Sequence, residues 1–370
     1  MATDPSELES EPTEAADAFA ERLLTDAAGA FTVFQVYLGD QLGYYRTLAD
    51  TLDALTAEEL AAATGTDERY TREWLEAQTV GGVLTVADAS GAPDGRRYRL
   101  PEAYEPLLVE EEHLDFLAPL CQTFVGAVGP IERVVDAYRT GQAIPFEDYG
   151  ADLHEGQARM NRPAFLHQLG QEWIPTMADV DERLRSDPDA RVVDVGTGHA
   201  WSSIGIARVY SDVYVDAVDL DEASVAVARE NVAAAGLDDR IEVHHRDAAD
   251  LDGAGEYALA TAFECVHDMP DPVGVLRTMR EVVADDGAVL VMDERVGETF
   301  TGESDLVEGL MYGWSVFHCL PVGRTEEPSA ETGTVMREET LREYAEEAGF
   351  SKVDVLPIES FFFRFYRLTP

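Results

Sequence analysis

An α/β fold with a mainly parallel sheet is predicted for the second half of this 370-residue chain, behind a helical first part that ends in a winged-helix pattern. Three observations predict it. The first is a short apolar run at 191–195 that breaks into Gly196-Thr197-Gly198 before a helical stretch. The second is the recurrence of apolar runs at 213–218, 241–245, 257–263 and 288–292, with helical spacing between them, which is how strands and crossover helices alternate in a parallel sheet. The third is the ending: an amphipathic stretch at 339–348 with Gly349 as its C-cap, then two runs around 353–356 and 361–366 that form a closing hairpin.

The glycine turn carries the chemistry. Gly196 and Gly198 allow a tight backbone turn close to a ligand, and the helix after Trp201 aims its amide end at the same place. A dinucleotide fingerprint requires a third glycine where Trp201 stands, which disfavours a nicotinamide oxidoreductase. Asp194, two positions before Gly196, fits the Asp-x-Gly-x-Gly turn of enzymes that bind S-adenosylmethionine. Asp219 ends the second run 21 residues after Gly198, where a carboxylate accepts from both hydroxyls of a ribose. Asp247, after the third run, either accepts from an adenine amino group or caps a short turn.

The formal charge is −46, from 73 acidic and 27 basic residues, with Lys352 the only lysine. Acids spread along the whole chain, with lysine removed, suit a cytoplasm near molar salt, where self-repulsion is screened within about 3 Å. Such a surface repels phosphates, so nucleic acid is not expected as a partner. Cys121, Cys265 and Cys319 are far apart and without metal-ligand spacing, which predicts neither disulfide nor metal. The beginning is acidic and no run of about 18 apolar residues occurs, so a cytoplasmic protein without a membrane partner is expected. The polar stretch 1–17 reads as a disordered acidic tail.

Residues 18–112 read as helix, turn, helix and hairpin. Thr56 and Glu59 form a capping box for a helix ending at Gly65, Thr66 and Asp67 open the next, and Tyr70, Trp74 and Leu75 lie at helical spacing in it. Runs at 83–86 and 97–100 flank the turn-rich 88–95 as a wing. Asp67, Glu68, Glu73 and Glu76 on the second helix outweigh Arg69 and Arg72, so a dimerisation module is expected rather than a DNA reader.

Between 113 and 185 the chain reads as a helical connector. Here Tyr149 and Asn161 are candidate substrate contacts. Asn161 has the alternative of capping a helix with Pro163 in its first turn. After the fourth run, His267 titrates near neutrality and stands as a candidate general base, with Asp268 to orient it, against the alternative of a loop-orienting histidine. Asp271 and Pro272 start a helix expected to close near Gly287. The stretch 306–321, holding Met311, Tyr312, Trp314, Phe317 and His318, either closes over an acceptor or packs as core, with His318 as a second candidate base.

These motifs together resemble class I S-adenosylmethionine-dependent methyltransferases, of the prokaryotic two-domain group with an amino-terminal winged helix. The resemblance rests on Arg69-Tyr70 with Glu73-Trp74-Leu75, Gly156-Gln157 with Asn161-Arg162-Pro163, Asp194-Val195-Gly196-Thr197-Gly198, Asp219-Leu220-Asp221-Glu222, Phe263-Glu264 with His267-Asp268, and the run from Tyr312 to Pro321. It implies a Rossmann-like sheet of seven strands, the last antiparallel, over 186–370, with 113–185 covering the cofactor S-adenosylmethionine. It places Gly196 and Gly198 by the methionine part, Asp219 by the ribose, Asp247 and Ala248 by the adenine, and Glu264 near the sulfonium, with Asp194 and Leu220 also expected among the cofactor-binding residues. Thr197 stands where many members have cysteine, and His199-Ala200 replaces Thr-Gly, which offers His199 as an added donor. The implied activity is metal-independent methyl transfer to a small-molecule oxygen or nitrogen acceptor by a homodimer. The alternative is a regulator that senses the cofactor and acts through its winged helix.

Overall fold

The computed structural model describes residues 5–303 and 305–370. They divide into two compact units, Met1–Val125 and Gly126–Pro370. The stretch expected to be a disordered tail begins outside the described residues and from Pro5 onward is helical, as the start of α1 (Pro5–Gln41). Glu7, Glu9, Glu11, Glu14, Ala15 and Ala16 in that segment are good helix formers, which composition read only for polarity overlooks.

In the first unit, α2 (Tyr44–Ala49), α3 (Ala57–Thr64) and α4 (Glu68–Val80) are followed by a short antiparallel pair, β1 (Thr85–Val86) and β2 (Tyr98–Arg99). The expected capping box is present: Glu59 donates its amide to Thr56 Oγ1 at 3.2 Å, and Thr56 N donates to Glu59 Oε2 at 2.8 Å. Trp74 and Leu75 are buried against Tyr44, Tyr45 and Leu60, but Tyr70 is 80 % exposed and leaves the expected apolar stripe. It stands on the outer face of α4, beside the ion pair of Arg69 and Glu73.

The second unit holds a seven-stranded sheet in the order β5-β4-β3-β6-β7-β9-β8, where β3 is Arg191–Val195, β4 Tyr214–Asp219, β5 Ile241–His245, β6 Tyr257–Phe263, β7 Val283–Glu294, β8 Lys352–Val355 and β9 Phe363–Thr369. Strands β3 to β7 are parallel, and β9 runs antiparallel to both β7 and β8. Alternation divides the strand residues between two cores. Val192, Val215, Leu259 and Leu290 face one side with α6 (Trp201–Val209) and α7 (Glu222–Ala235), after α5 (Ala151–Ala164) has entered from the connector. Val193, Val218, Ala260 and Val291 face the other, with α8 (Pro272–Val282) and, after α9 (Leu306–Trp314), α10 (Glu338–Ala348). The helix expected to reach Gly287 stops at Val282, because 283–294 is taken up in one long strand beside β6.

The segment read as a connector is mostly part of this unit's core. Phe165, Leu166, Leu169 and Trp173 are buried in the first of the two cores, on a π-helical stretch, Phe165–Trp173, that continues α5. Asn161 does not cap a helix. It lies inside α5, and Pro163 is interior too, just before the turns widen. The wide stretch touches α6 closely enough that a Cβ on Gly205 would meet the Phe165 carbonyl. Gly205→Ala is therefore expected to lower stability by about 1–3 kcal/mol through overpacking, measured by thermal unfolding in molar potassium chloride; an unchanged transition would show that the two helices separate freely.

Candidate active site

Parallel strands bring their carboxyl ends to one rim, and there the chain after β3 must turn before α6 can start. Gly196 at φ 67° and Gly198 at φ 54° turn it, with Ala200 also left-handed at φ 63°. A residue with a Cβ pays about 1 kcal/mol for that conformation, and glycine avoids it. Gly196 N and Thr197 N donate to the Val218 carbonyl at 2.9 and 3.1 Å, tying the turn to β4. Asp194 fixes it from beneath: its Oδ2 accepts from Thr197, Ser202 and Ser203 at 2.8, 2.6 and 2.7 Å, and its Oδ1 from Thr261 at 2.7 Å. With its oxygens so engaged, Asp194 does not line the cavity that opens above. It positions the loop instead of touching a ligand, a correction to its expected place.

That cavity holds about 490 Å³ and is lined by Gly196, Gly198, Asp219, Leu220, Asp247, Ala248 and Glu264, all as expected from the sequence. Asp219 receives the amides of Gly198 on Oδ2 at 2.7 Å and Asp221 on Oδ1 at 2.9 Å. Burial raises its carboxyl, and those two amides oppose the rise. Each oxygen keeps a lone pair for a further donor. Asp247 follows its capping reading, accepting from Ala249 N at 2.8 Å, and it also lines the cavity.

Residues outside the expected set complete the walls. Phe146 stacks on the His154 ring at 4.2 Å between centroids, and both line the cavity with Phe165, Met269 and Val322. Trp201 lines it too, under the Arg162 guanidinium at 4.4 Å. His199 contributes a neutral ring: burial, reinforced by His154, lowers it to about 4 against the pull of Asp221. Gln157, named in the sequence only among the residues that carry the family resemblance, lines the cavity together with Asn161.

Glu264 holds the most constrained position. It follows β6 with φ 52°, left-handed without being glycine, and its amide is pinned to the Met292 carbonyl at 2.8 Å. Such strain persists where surroundings over-determine it, as at functional sites. Gln157 and Asn161 hydrogen-bond its carboxylate, while Oε1 has no hydrogen-bond partner among the described residues. Burial pushes its carboxyl up to about 7; His267 opposes the rise and Asp293 adds to it.

The two expected bases are placed otherwise. His267 is 2 % exposed, does not line the cavity, and has Asp293 at 2.9 Å and Glu294 at 3.1 Å from Nδ1, with Asp268 at 3.3 Å from Nε2. Burial alone would lower its pKa, but these three carboxylates outweigh it and hold the imidazole well above its usual value. His267 thus joins the turn after β6 to Asp293 and Glu294 at the end of β7. His318 is buried behind the Phe146 and Tyr149 rings, at 5.7 and 4.6 Å, and burial lowers it to about 4. It is neutral but enclosed away from the cavity.

Of the expected substrate contacts, only Asn161 lines the cavity. Tyr149 is buried and donates to the Phe317 carbonyl at 2.8 Å. Phe317 and Trp314 pack with Val134, Ile144 and Leu153, and Met311 packs with Val296 and Val307, so 306–321 follows its core reading. Tyr312 is half exposed and receives Arg337 at 3.3 Å. As for metal, the clusters whose ligand atoms gather within 4.8 Å are His267 with Asp293 and Glu294, His267 with Asp268 and Cys319, and Asp216 with Glu242 and His244. His267 is engaged as described, and Asp216 already receives Arg191, His244 and Tyr257 at 2.5, 3.0 and 3.0 Å.

Comparison with known proteins agrees with this geometry. A family model described as a methyltransferase domain matches residues 165–355, and one described as an Rv2258c-like winged helix-turn-helix domain matches 30–109. The chain is 30 % identical to the ubiquinone biosynthesis O-methyltransferase of Marinobacter nauticus over 118 residues, 30 % of this chain and 47 % of that one. It spans less than half the length of the first curated relatives it matches. Among solved structures, the mitomycin 7-O-methyltransferase MmcR superposes with a TM-score of 0.65 at 20 % identity, covering 96 % of this chain and 99 % of that one. Human N-acetylserotonin methyltransferase in complex with S-adenosylmethionine gives 0.63 at 18 %, covering 95 % and 97 %. At such identity the likeness is one of fold.

The Glu264 carboxyl yields a stability prediction. Its folded value of about 7 lies above the ordinary 4.5, so the folded state binds the extra proton. The stability it allows is fully present below about pH 4.5 and is lost as pH rises through about 7. Glu264→Gln is expected to raise stability at pH 8 by up to about 3 kcal/mol and to change it little at pH 4, measured by denaturant unfolding; a gain that is independent of pH would contradict the assignment.

Proposed function

The chain belongs to the methyltransferase domain family, and on that premise we propose that it transfers a methyl group from S-adenosylmethionine to an oxygen or nitrogen nucleophile of a small, partly apolar acceptor. The observation that carries this reading is the single cavity edge where the left-handed Gly196 and Gly198 meet Asp219, with Glu264 at its inner wall. The donor set fits the cofactor. Asp219 offers free lone pairs to two ribose hydroxyls, Leu220 and Ala248 flank a slot for a flat base with Asp247 at its edge, and a Cβ at Gly196 would meet Cys265 Sγ at 2.9 Å, so this turn has no room for a side chain. When bound, the cofactor supplies a methyl carbon on a sulfonium that leaves as a neutral thioether.

The chain's own residues do the rest. Phe146, Phe165, Met269, Pro270 and Val322 give the remaining wall an apolar character, which suits an aromatic acceptor and excludes water from the reacting atoms. His267 ties the carboxyl ends of β6 and β7 together through its contacts with Asp293 and Glu294.

Two further features belong to the same reading. Along α1, Phe19, Leu23, Leu24, Phe31 and Leu38 are exposed in the single chain, Leu24 at 72 %, which supports a homodimer built on the first unit. On α4 and the wing, Arg69, Arg72, Arg96 and Arg97 are paired with Glu73, Asp94, Glu76 and Glu59, which leaves those arginines engaged instead of free for phosphates. Leu24→Glu with Phe31→Glu is expected to halve the mass seen by light scattering; an unchanged mass would refute dimerisation through α1. The charge of −46 is expected to make folding salt-dependent, so that moving from molar to about 0.01 M salt, where screening reaches out to about 30 Å, unfolds the protein; an unshifted melting temperature would refute the halophilic reading.

The test of activity is transfer of a labelled methyl group from S-adenosylmethionine to a panel of phenols and aromatic amines in molar potassium chloride. Labelled product is expected from at least one acceptor class, reduced at least 100-fold in Asp219→Ala. Absence of transfer to every acceptor by folded wild-type protein would count against a small aromatic acceptor.

A further inference from the structure

We propose that His199 holds the amino-acid carboxylate of S-adenosylmethionine. The inference rests on the methyl-transfer reading above and goes beyond it by assigning the cofactor's one anionic group to a particular side chain. Three observations converge on that imidazole. His199 lines the cavity directly after Gly198, one residue before the cap of α6, and Asn231 Nδ2 fixes its backbone by donating to its carbonyl at 3.0 Å. Neither nitrogen of its ring has a hydrogen-bond partner among the described residues, and neither is sealed from solvent. A half-buried ring so placed has an N–H to give and no protein group to receive it. The helix that follows starts at Ala200 without a side-chain cap, so its first amides also lack a side-chain acceptor.

An anion has few other partners in this cavity. Its walls carry seven acidic side chains against one arginine, so most of the surface repels a carboxylate. That arginine, Arg246, is paired with Asp252 at 2.9 Å. Thr197 and Ser202 donate to Asp194, while Gln157 and Asn161 are directed to Glu264. His154 has Nε2 on the Phe146 carbonyl at 3.1 Å and turns Nδ1 toward Asp221 at 3.9 Å. Trp201 lies under the Arg162 guanidinium, Ser224 is buried in the first turn of α7, and Thr325 is exposed at the rim.

The charge state of His199 suits the task as well. Burial, with His154 nearby, lowers its pKa to about 4 against the pull of Asp221, so the ring is neutral at pH 7. Asp221 itself is turned onto Ser224 N at 2.7 Å. A neutral donor holds a carboxylate without repelling the sulfonium of the same cofactor, as a lysine or arginine in that place would.

The experiment isolates the one group. Affinities for S-adenosylhomocysteine and for its decarboxylated analogue, the same thioether with hydrogen in place of the carboxylate, are measured by calorimetry in molar potassium chloride. Wild type, His199→Ala and His199→Asn are compared, each checked for fold by circular dichroism. Wild type is expected to prefer the carboxylate-bearing ligand by about 10- to 100-fold, as a hydrogen bond to a charged group provides. His199→Ala is expected to remove most of that preference while leaving the affinity of the analogue unchanged, and His199→Asn, which keeps an N–H donor, to restore part of it. No preference in wild type, a preference equal in wild type and His199→Ala, or a loss shared by both ligands would overturn the assignment, because other groups would then hold the carboxylate or His199 would support the turn alone. Failure of wild type to bind S-adenosylhomocysteine at all would instead overturn the methyl-transfer reading on which the assignment rests.

Discussion

One buried carboxylate with four hydroxyl donors organises the ligand-facing end of the sheet. Asp194 is 1 % exposed, and its contacts with Thr197, Ser202, Ser203 and Thr261 join β3, the glycine turn, the first turn of α6 and β6 at a single point. Hydrogen bonds to an ionised group are roughly twice as strong as neutral ones, and four of them compensate the burial of the charge. The turn above it is otherwise tied down by the two amides that donate to Val218 and by the Gly198 amide that donates to Asp219. What Gly196, Gly198 and Asp219 offer a ligand therefore depends on a residue that never meets that ligand.

A second buried arrangement lies beside it. His267 gathers Asp293, Glu294 and Asp268 at the ends of β6 and β7, and these carboxylates raise its pKa against the effect of burial. Glu264, which lines the cavity, lies close enough to be influenced by His267 and Asp293. Both groups are raised above their ordinary values, His267 by its three carboxylates and Glu264 by burial.

The parts of this site written as local patterns were legible in the sequence. The glycine turn, the acid ending β4 and the order of strands and helices follow from spacing and periodicity alone, and so does the capping box at Thr56 and Glu59. Roles set by partners distant along the chain were not. The sequence paired His267 with Asp268 alone because Asp293 and Glu294, brought beside it by the pairing of β6 with β7, stand far away along the chain. Asp194 looked like a ligand because its hydroxyl donors are common residues with no motif of their own. The aromatic stretch around Tyr312 and Phe317 has the spacing of both a pocket wall and a core helix, and only its packing on Ile144 and Leu153 decides. Phe146 and His154 become cavity walls through a stacking contact that no periodicity announces.

The central claim is that the rim joining Gly196, Gly198 and Asp219 holds S-adenosylmethionine. Equilibrium binding of that molecule in molar potassium chloride, with NADH as competitor and Asp219→Ala as the control, tests it most directly. The account predicts binding to wild type that NADH does not displace and that Asp219→Ala weakens at least 100-fold. Equal binding by wild type and the variant, or none by folded wild type, would contradict it.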